Sequence, residues 1–167
     1  MLDESDLKKA LFAAYKQLGY RDHSAKELRE KLLNKGFTPE IADAAVEQMI
    51  SYGYINDADY AKGLIRRCQI SKKIGVFRIK QELKKRGIPD DLIGESLLHY
   101  SEEDEDENID KIIKAKLKKN QPPEKILRHL FSKGFEPDKI RERLSKLKEE
   151  QVEPDENGEM DEMRENE

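Results

Sequence analysis

Three stretches decide how this chain folds: Glu-Leu-Arg-Glu-Lys-Leu-Leu-Asn-Lys-Gly-Phe at 27–37, Arg-Ile-Lys-Gln-Glu-Leu-Lys-Lys-Arg-Gly-Ile at 78–88 and Lys-Ile-Leu-Arg-His-Leu-Phe-Ser-Lys-Gly-Phe at 125–135. Aligned on Gly36, Gly87 and Gly134, which are 51 and 47 residues apart, they superpose apolar positions at Leu28/Ile79/Ile126, Leu32/Leu83/Leu130 and Phe37/Ile88/Phe135. A spacing of four between the first two sets is one face of a helix. The glycine follows Lys or Arg at the end of each run, where a left-handed residue closes the last helical turn. Pro39, Pro89 and Pro137 follow within three residues and open a further helix.

Working outward, each stretch is preceded by a longer helical pattern. Leu7, Leu11, Ala14 and Leu18 share one face, and Ile41, Val46, Met49 and Ile50 form another stripe. Ser24 with Glu27 reads as a capping box, Asn56 with Asp59 as a weaker one, and Thr38 as a cap before Pro39. No segment alternates with a period of two. The sequence therefore predicts an all-α, elongated molecule of three tandem three-helix repeats, over 1–55, 56–103 and 104–150. An acidic tail at 151–167 is expected to be disordered. A unit of about 50 residues buries little apolar area alone, so neighbours should stack.

Composition agrees with a thin core. Of 167 residues, 41% are charged, 36% hydrophobic and 7% aromatic, and Trp is absent. There is no apolar run long enough to cross a membrane, and the acidic start of the chain lacks the pattern of a secretory signal. The single Cys68 suits a reducing cytoplasm and, with three scattered histidines, offers no Cys/His metal site. No phosphate-binding loop, nucleophile elbow or zincin helix is present, so no catalytic residue, metal or cofactor is expected. An enzymatic reading would rest on Cys68 alone, whose thiol could be activated by Arg66 and Arg67.

The net charge of −4 conceals its distribution. Residues 1–55 carry 8 basic and 9 acidic groups, 56–103 carry 10 and 8, and 104–150 carry 13 and 11, whereas 151–167 carry 1 and 8. Between Lys62 and Arg86 lie 10 basic residues opposed by Glu82 alone. Such a stretch attracts polyanions or an acidic protein face. On a helix over 76–87, Val76, Ile79 and Leu83 mark the buried stripe, Arg78 and Lys85 point away, and Phe77, Lys80 and Lys84 form a flank. In the next helix Lys111, Lys114 and Lys118 oppose Ile109, Ile112, Ile113 and Leu117. The acidic tail either solvates the chain or masks the basic middle.

From Gly53 to Gly87 the chain reads Gly53-Tyr54-Ile55-Asn56-Asp57, Tyr60-Ala61, a basic helix, Gly75, Arg78-Ile79, Glu82-Leu83 and Arg86-Gly87-Ile88. Tyr20-Arg21, Ser24, Glu27-Leu28, Leu32 and Lys35-Gly36-Phe37 precede it. In order, spacing and threefold repetition these residues resemble the RecX family, regulators of the bacterial RecA recombinase, over about 10–150. The chain departs from the family pattern with Cys68 where a basic residue is usual, with Gly75-Val76 in place of Gly-Pro, and with one residue more between Tyr60 and Ile79. The resemblance implies a helical regulator that binds the RecA–DNA filament, inhibits its recombinase and ATPase activities, and so acts in DNA repair, recombination and the SOS response. Its contact residues would be Arg66, Arg67, Lys72, Lys73, Arg78, Lys80, Lys84 and Lys85, extended by Lys111, Lys114 and Lys118. Arg66, Arg67 and Arg78 lead because a guanidinium pairs bidentately with carboxylate or phosphate. A monomer is expected, with weak DNA binding of its own. The competing reading is a free-standing helical nucleic-acid-binding protein without a recombinase partner.

Overall fold

The computed structural model describes residues 3–150; the expected disorder of 151–167 falls outside the described residues. Nine α-helices are described: α1 Glu4–Leu18, α2 Ala25–Asn34, α3 Pro39–Ser51, α4 Asp57–Arg67, α5 Val76–Lys85, α6 Asp90–Ser96, α7 Glu102–Leu117, α8 Pro123–Ser132 and α9 Pro137–Glu150. A π-helical turn, Cys68–Lys72, extends α4, and a 3-10 turn, Leu97–His99, extends α6. No strand occurs among the described residues.

Helix boundaries follow the local chemistry. Asp3, Ser24, Thr38, Asn56 and Ser101 each accept a backbone N–H of the helix they precede, and Ser24 with Glu27 forms the reciprocal capping box. Glu102–Glu105 crowd the first turn of α7, where carboxylates complement the helix dipole. Gly36, Gly87 and Gly134 have φ of 92°, 77° and 88°, as the closure of the last turn requires.

The hydrophobic residues form three separate clusters, each drawn from three consecutive helices. Ala10, Ala14, Leu28, Leu32, Val46 and Met49 centre the first. Leu64, Ile65, Cys68, Ile79, Leu83 and Ile93 centre the second, and Ile109, Ile113, Ile126, Leu130, Phe135 and Ile140 the third. The chain is thus three three-helix repeats in tandem, in which α2, α5 and α8 are the equivalent middle helices. One expected core residue is misplaced: Ile50, read into the α3 stripe, is 48% exposed. The other three residues of that stripe, Ile41, Val46 and Met49, are buried.

The repeats meet end to end through their middle helices. Ser24, which caps α2, donates its hydroxyl to the carbonyl of Arg86 at the end of α5, at 2.7 Å. Gly75, which occupies the equivalent place before α5, donates its N–H to Lys133 O at the end of α8, and Phe77 N–H reaches Gly134 O, both at 3.1 Å. The carbonyl end of one helix therefore faces the N–H end of another at both joints, which satisfies groups that every helix terminus leaves over. A carboxylate from the following repeat completes each joint. Asp57 Oδ1 accepts Ala25 N–H at 2.9 Å, and Glu105 Oε1 accepts Val76 N–H at 3.4 Å.

The π turn widens the end of α4 without breaking the chain's helical course. Gln69 within it donates to Ser101 O at 2.8 Å and so ties the turn to the start of α7.

Candidate functional site

All eleven basic residues singled out from the sequence are exposed: Arg66, Arg67, Lys72, Lys73, Arg78, Lys80, Lys84, Lys85, Lys111, Lys114 and Lys118. Burying the apolar stripe of an amphipathic helix turns these positions outward. Three of them have carboxylate partners: Arg78 with Glu82 at 3.8 Å, Lys84 with Asp90 at 2.8 Å and Lys111 with Glu107 at 2.7 Å. Exposed pairs of this kind are weak and leave the cation available for another anion.

They do not form one continuous patch. Five of them divide among clefts that the joints between repeats create. A cleft of about 530 Å³ between the first and second repeats brings Arg67 and Lys72 together with Arg21, Arg86 and Tyr60. A second, of about 300 Å³, joins Lys73 from the end of the π turn to Lys111, Lys116 and Lys119 of the third repeat and to His129. A third, of about 610 Å³, places Arg78 and Gln81 between the half-exposed rings of Phe77 and Phe131. Arg66, Lys80, Lys84, Lys85, Lys114 and Lys118 line none of the three.

The floor of the first cleft is a charge network that links two repeats. Glu27 accepts from Tyr60 Oη at 3.0 Å and from Arg21 at 3.2 Å, and Arg86 lies 3.7 Å from it. Arg86 also donates to Glu82 at 2.6 Å. Burial raises the Glu27 carboxyl, but the hydrogen bonds from Arg21, Tyr60 and Ser24 outweigh it and hold the group below its ordinary value. Arg21 and Arg86 therefore serve the joint, while Arg67 and Lys72 at the rim have no carboxylate within 4 Å among the described residues. Tyr60 is buried between repeats. Asp57 caps α2 of the preceding repeat, and Asn56 caps α4.

In the second cleft, burial and the charges of Lys116 and Lys133 lower the His129 imidazole below its ordinary value. Lys116, Lys119 and His129 escaped the sequence reading, as did Arg21 and Arg86 in the first cleft. Each becomes part of a basic surface only when a second repeat is stacked beside it.

Cys68 is fully buried in the second core, and burial pushes its thiol up, against the opposing pull of Lys72, Arg86 and Arg67. Desolvation thus defeats the activation that its arginine neighbours promised. Among the described residues, no group of three or more His, Cys, Asp or Glu side chains could hold a metal ion, and no helix is long and apolar enough to cross a membrane.

Comparison with known proteins places this architecture. Residues 10–49 match the RecX first three-helix domain, and residues 56–97 match the RecX second three-helix domain. The chain is 31% identical over 154 residues to the regulatory protein RecX of Prosthecochloris aestuarii, an alignment covering 87% of this chain and 98% of that protein. It is likewise 31% identical over 141 residues to the regulatory protein RecX of Caldanaerobacter subterraneus subsp. tengcongensis, covering 84% of this chain and 71% of that one. The crystal structure of RecX from Lactobacillus salivarius superposes with a TM-score of 0.77 at 25% identity, over 86% of this chain and 97% of that one. With its tandem three-helix repeats, end-to-end joints and sequence likeness over most of both chains, the protein belongs to the RecX family of regulatory proteins.

Proposed function

We propose that the protein binds the RecA–DNA filament in the cytoplasm and inhibits its recombinase and ATPase activities, and thereby regulates DNA recombination and repair. The observation that carries this reading is the series of basic clefts set at successive joints of a tandem repeat. A module whose contact points recur along its length suits a partner that also repeats. It engages neighbouring subunits of an assembled filament together and a free subunit through only part of its surface. A ligand that binds the two forms unequally shifts the equilibrium between them. The family membership supports the same partner.

Arg67, Lys72 and Arg66 at the first joint, Arg78, Lys80, Lys84 and Lys85 along α5, and Lys73, Lys111, Lys114 and Lys118 beside the second joint are the contacts in this reading. Their counterparts are carboxylates of the filament surface or phosphates within it.

Fluorescence anisotropy of the labelled protein tests the partner directly. It is titrated with RecA assembled on single-stranded DNA and a non-hydrolysable nucleotide, with RecA alone, and with the DNA alone. The assembled filament should bind at least about tenfold tighter than either component. Equal affinity for bare DNA and filament, falling steeply with salt, would overturn the proposal in favour of a free-standing nucleic-acid-binding protein.

A further inference from the structure

The second cleft gathers lysines with little carboxylate to oppose them. Lys73, Lys111, Lys116 and Lys119 line it, Lys133 stands close enough to His129 to lower its imidazole, and Glu107, paired with Lys111, is the one carboxylate paired with a lining lysine among the described residues. Lys73 is held there with φ of 49°, a left-handed conformation uncommon outside glycine, with its N–H on Cys68 O. The site is concave, about 300 Å³, and carries Ile112 and Ala115 between its lysines.

α9 packs along α7, the helix that carries Lys111 and Lys116 of this cleft. Lys139 pairs with Glu105 and Asp106 at 3.0 and 2.9 Å, and four residues on Arg143 pairs with Asp110. The two helices therefore run in the same direction, and Leu147 shares the third core with Ile113. The same register carries Glu150 alongside the last turn of α7, which holds Lys114 and Lys116. The next 17 residues contain Glu153, Asp155, Glu156, Glu159, Asp161, Glu162, Glu165 and Glu167 against Arg164 alone. At about 3.3 Å per residue they span up to about 55 Å, ample to pass around α7, about 10–12 Å across, and reach the cleft.

We propose that the lysine cleft formed by Lys73, Lys111, Lys116 and Lys119 is a polyanion-binding site whose occupant in the free protein is the chain's own acidic segment 151–167. An external polyanion or acidic protein surface must then displace that segment, which sets a threshold on binding. This inference does not depend on the identity of the partner proposed above.

His129 reports occupancy from inside the cleft. Its pKa is measured by NMR at low salt in the full chain and in a full-length variant with the eight tail carboxylates changed to amides (Glu→Gln, Asp→Asn). A carboxylate held about 8 Å away raises an imidazole by about 0.4 of a pH unit. The native chain should therefore titrate at least that much higher than the variant. The gap should close in about 0.5 M salt, where screening acts within a few ångströms. Adding Lys116→Gln and Lys119→Gln to both chains should shrink it, while the amide signals of Lys73 and Lys111 differ between native and neutral-tail chains. Identical His129 titrations and identical amide shifts in the two chains would overturn the proposal. So would a gap that survives both the lysine substitutions and high salt.

Discussion

At the joint between α5 and α2 a serine hydroxyl bridges the helix ends, whereas between α8 and α5 the two backbones touch directly. Ser24 both accepts from Glu27 N–H and donates to Arg86 O. Gly75 has no side chain, and a Cβ there would lie 2.4 Å from Gly134 O and 2.5 Å from Phe135 N. The glycines that end the helices differ in the same sense. A Cβ on Gly134 would meet the backbone N and the Cβ of Arg78, both at 2.5 Å, while one on Gly87 would meet the movable side chain of Lys26. One stacking geometry is thus achieved twice, once with adaptable side chains and a half-buried charge network, once by close backbone approach. The first joint is open to electrostatic tuning, and the second is sterically fixed.

That contrast can be broken most severely at Gly75. Gly75→Ala forces the second joint apart and removes two backbone hydrogen bonds, for an expected loss of about 3–4 kcal/mol in urea denaturation. A loss below about 1 kcal/mol would mean that the close approach contributes little. Next comes a paired comparison. Both Gly134→Ala and Gly87→Ala suffer the positive φ, but Gly134→Ala should cost about 1–2 kcal/mol more, because backbone yields less readily than a lysine stem. Equal losses would erase the distinction between the joints. Ser24→Ala should cost about 1–2 kcal/mol by removing the cap and the bridge together. A neutral result would reduce the hydroxyl to a bystander.

The smallest effect is in the pH dependence of the first joint. The folded-state pKa of Glu27 is depressed, so its stabilisation is present above the unfolded value near 4.5 and disappears as pH falls through the lower folded value. Native protein and Glu27→Gln should differ in stability at pH 7 and converge as the solution is acidified below about 4.5. The first-joint variant alone should behave so, since the second joint has Arg78 at the equivalent position. A difference independent of pH would show that the network acts through packing alone.

The repeats, their helices and the buried stripes were legible because each depends on periodicity within one segment. Leu28, Leu32, Ile79, Leu83, Ile126 and Leu130 are all fully buried, as their spacing implied. The exposure of the basic residues was legible for the same reason. Their grouping was not. Whether Arg67 joins Arg21, or Lys73 joins Lys116 and Lys119, depends on how one repeat sits on the next. That arrangement is set by the hydrogen bonds of Ser24, Gly75, Asp57 and Glu105 across tens of residues. Asp57 shows the limit most plainly: it stands at the start of α4 in sequence, but its partner N–H belongs to Ala25 of another repeat. Cys68 shows another, since neighbouring charges are visible in sequence and desolvation is not.

The central claim is that the cationic rim at the first joint acts on an assembled recombinase. The direct test is the rate of single-stranded-DNA-dependent ATP hydrolysis by the cognate RecA, with increasing amounts of native protein or of Arg67→Glu/Lys72→Glu. These two side chains are exposed and form no ion pair with the joint network. Native protein should suppress hydrolysis at ratios well below one per RecA subunit, and the reversed variant should need about tenfold more. An unchanged rate with native protein in excess, or equal suppression by the two proteins, would contradict the account.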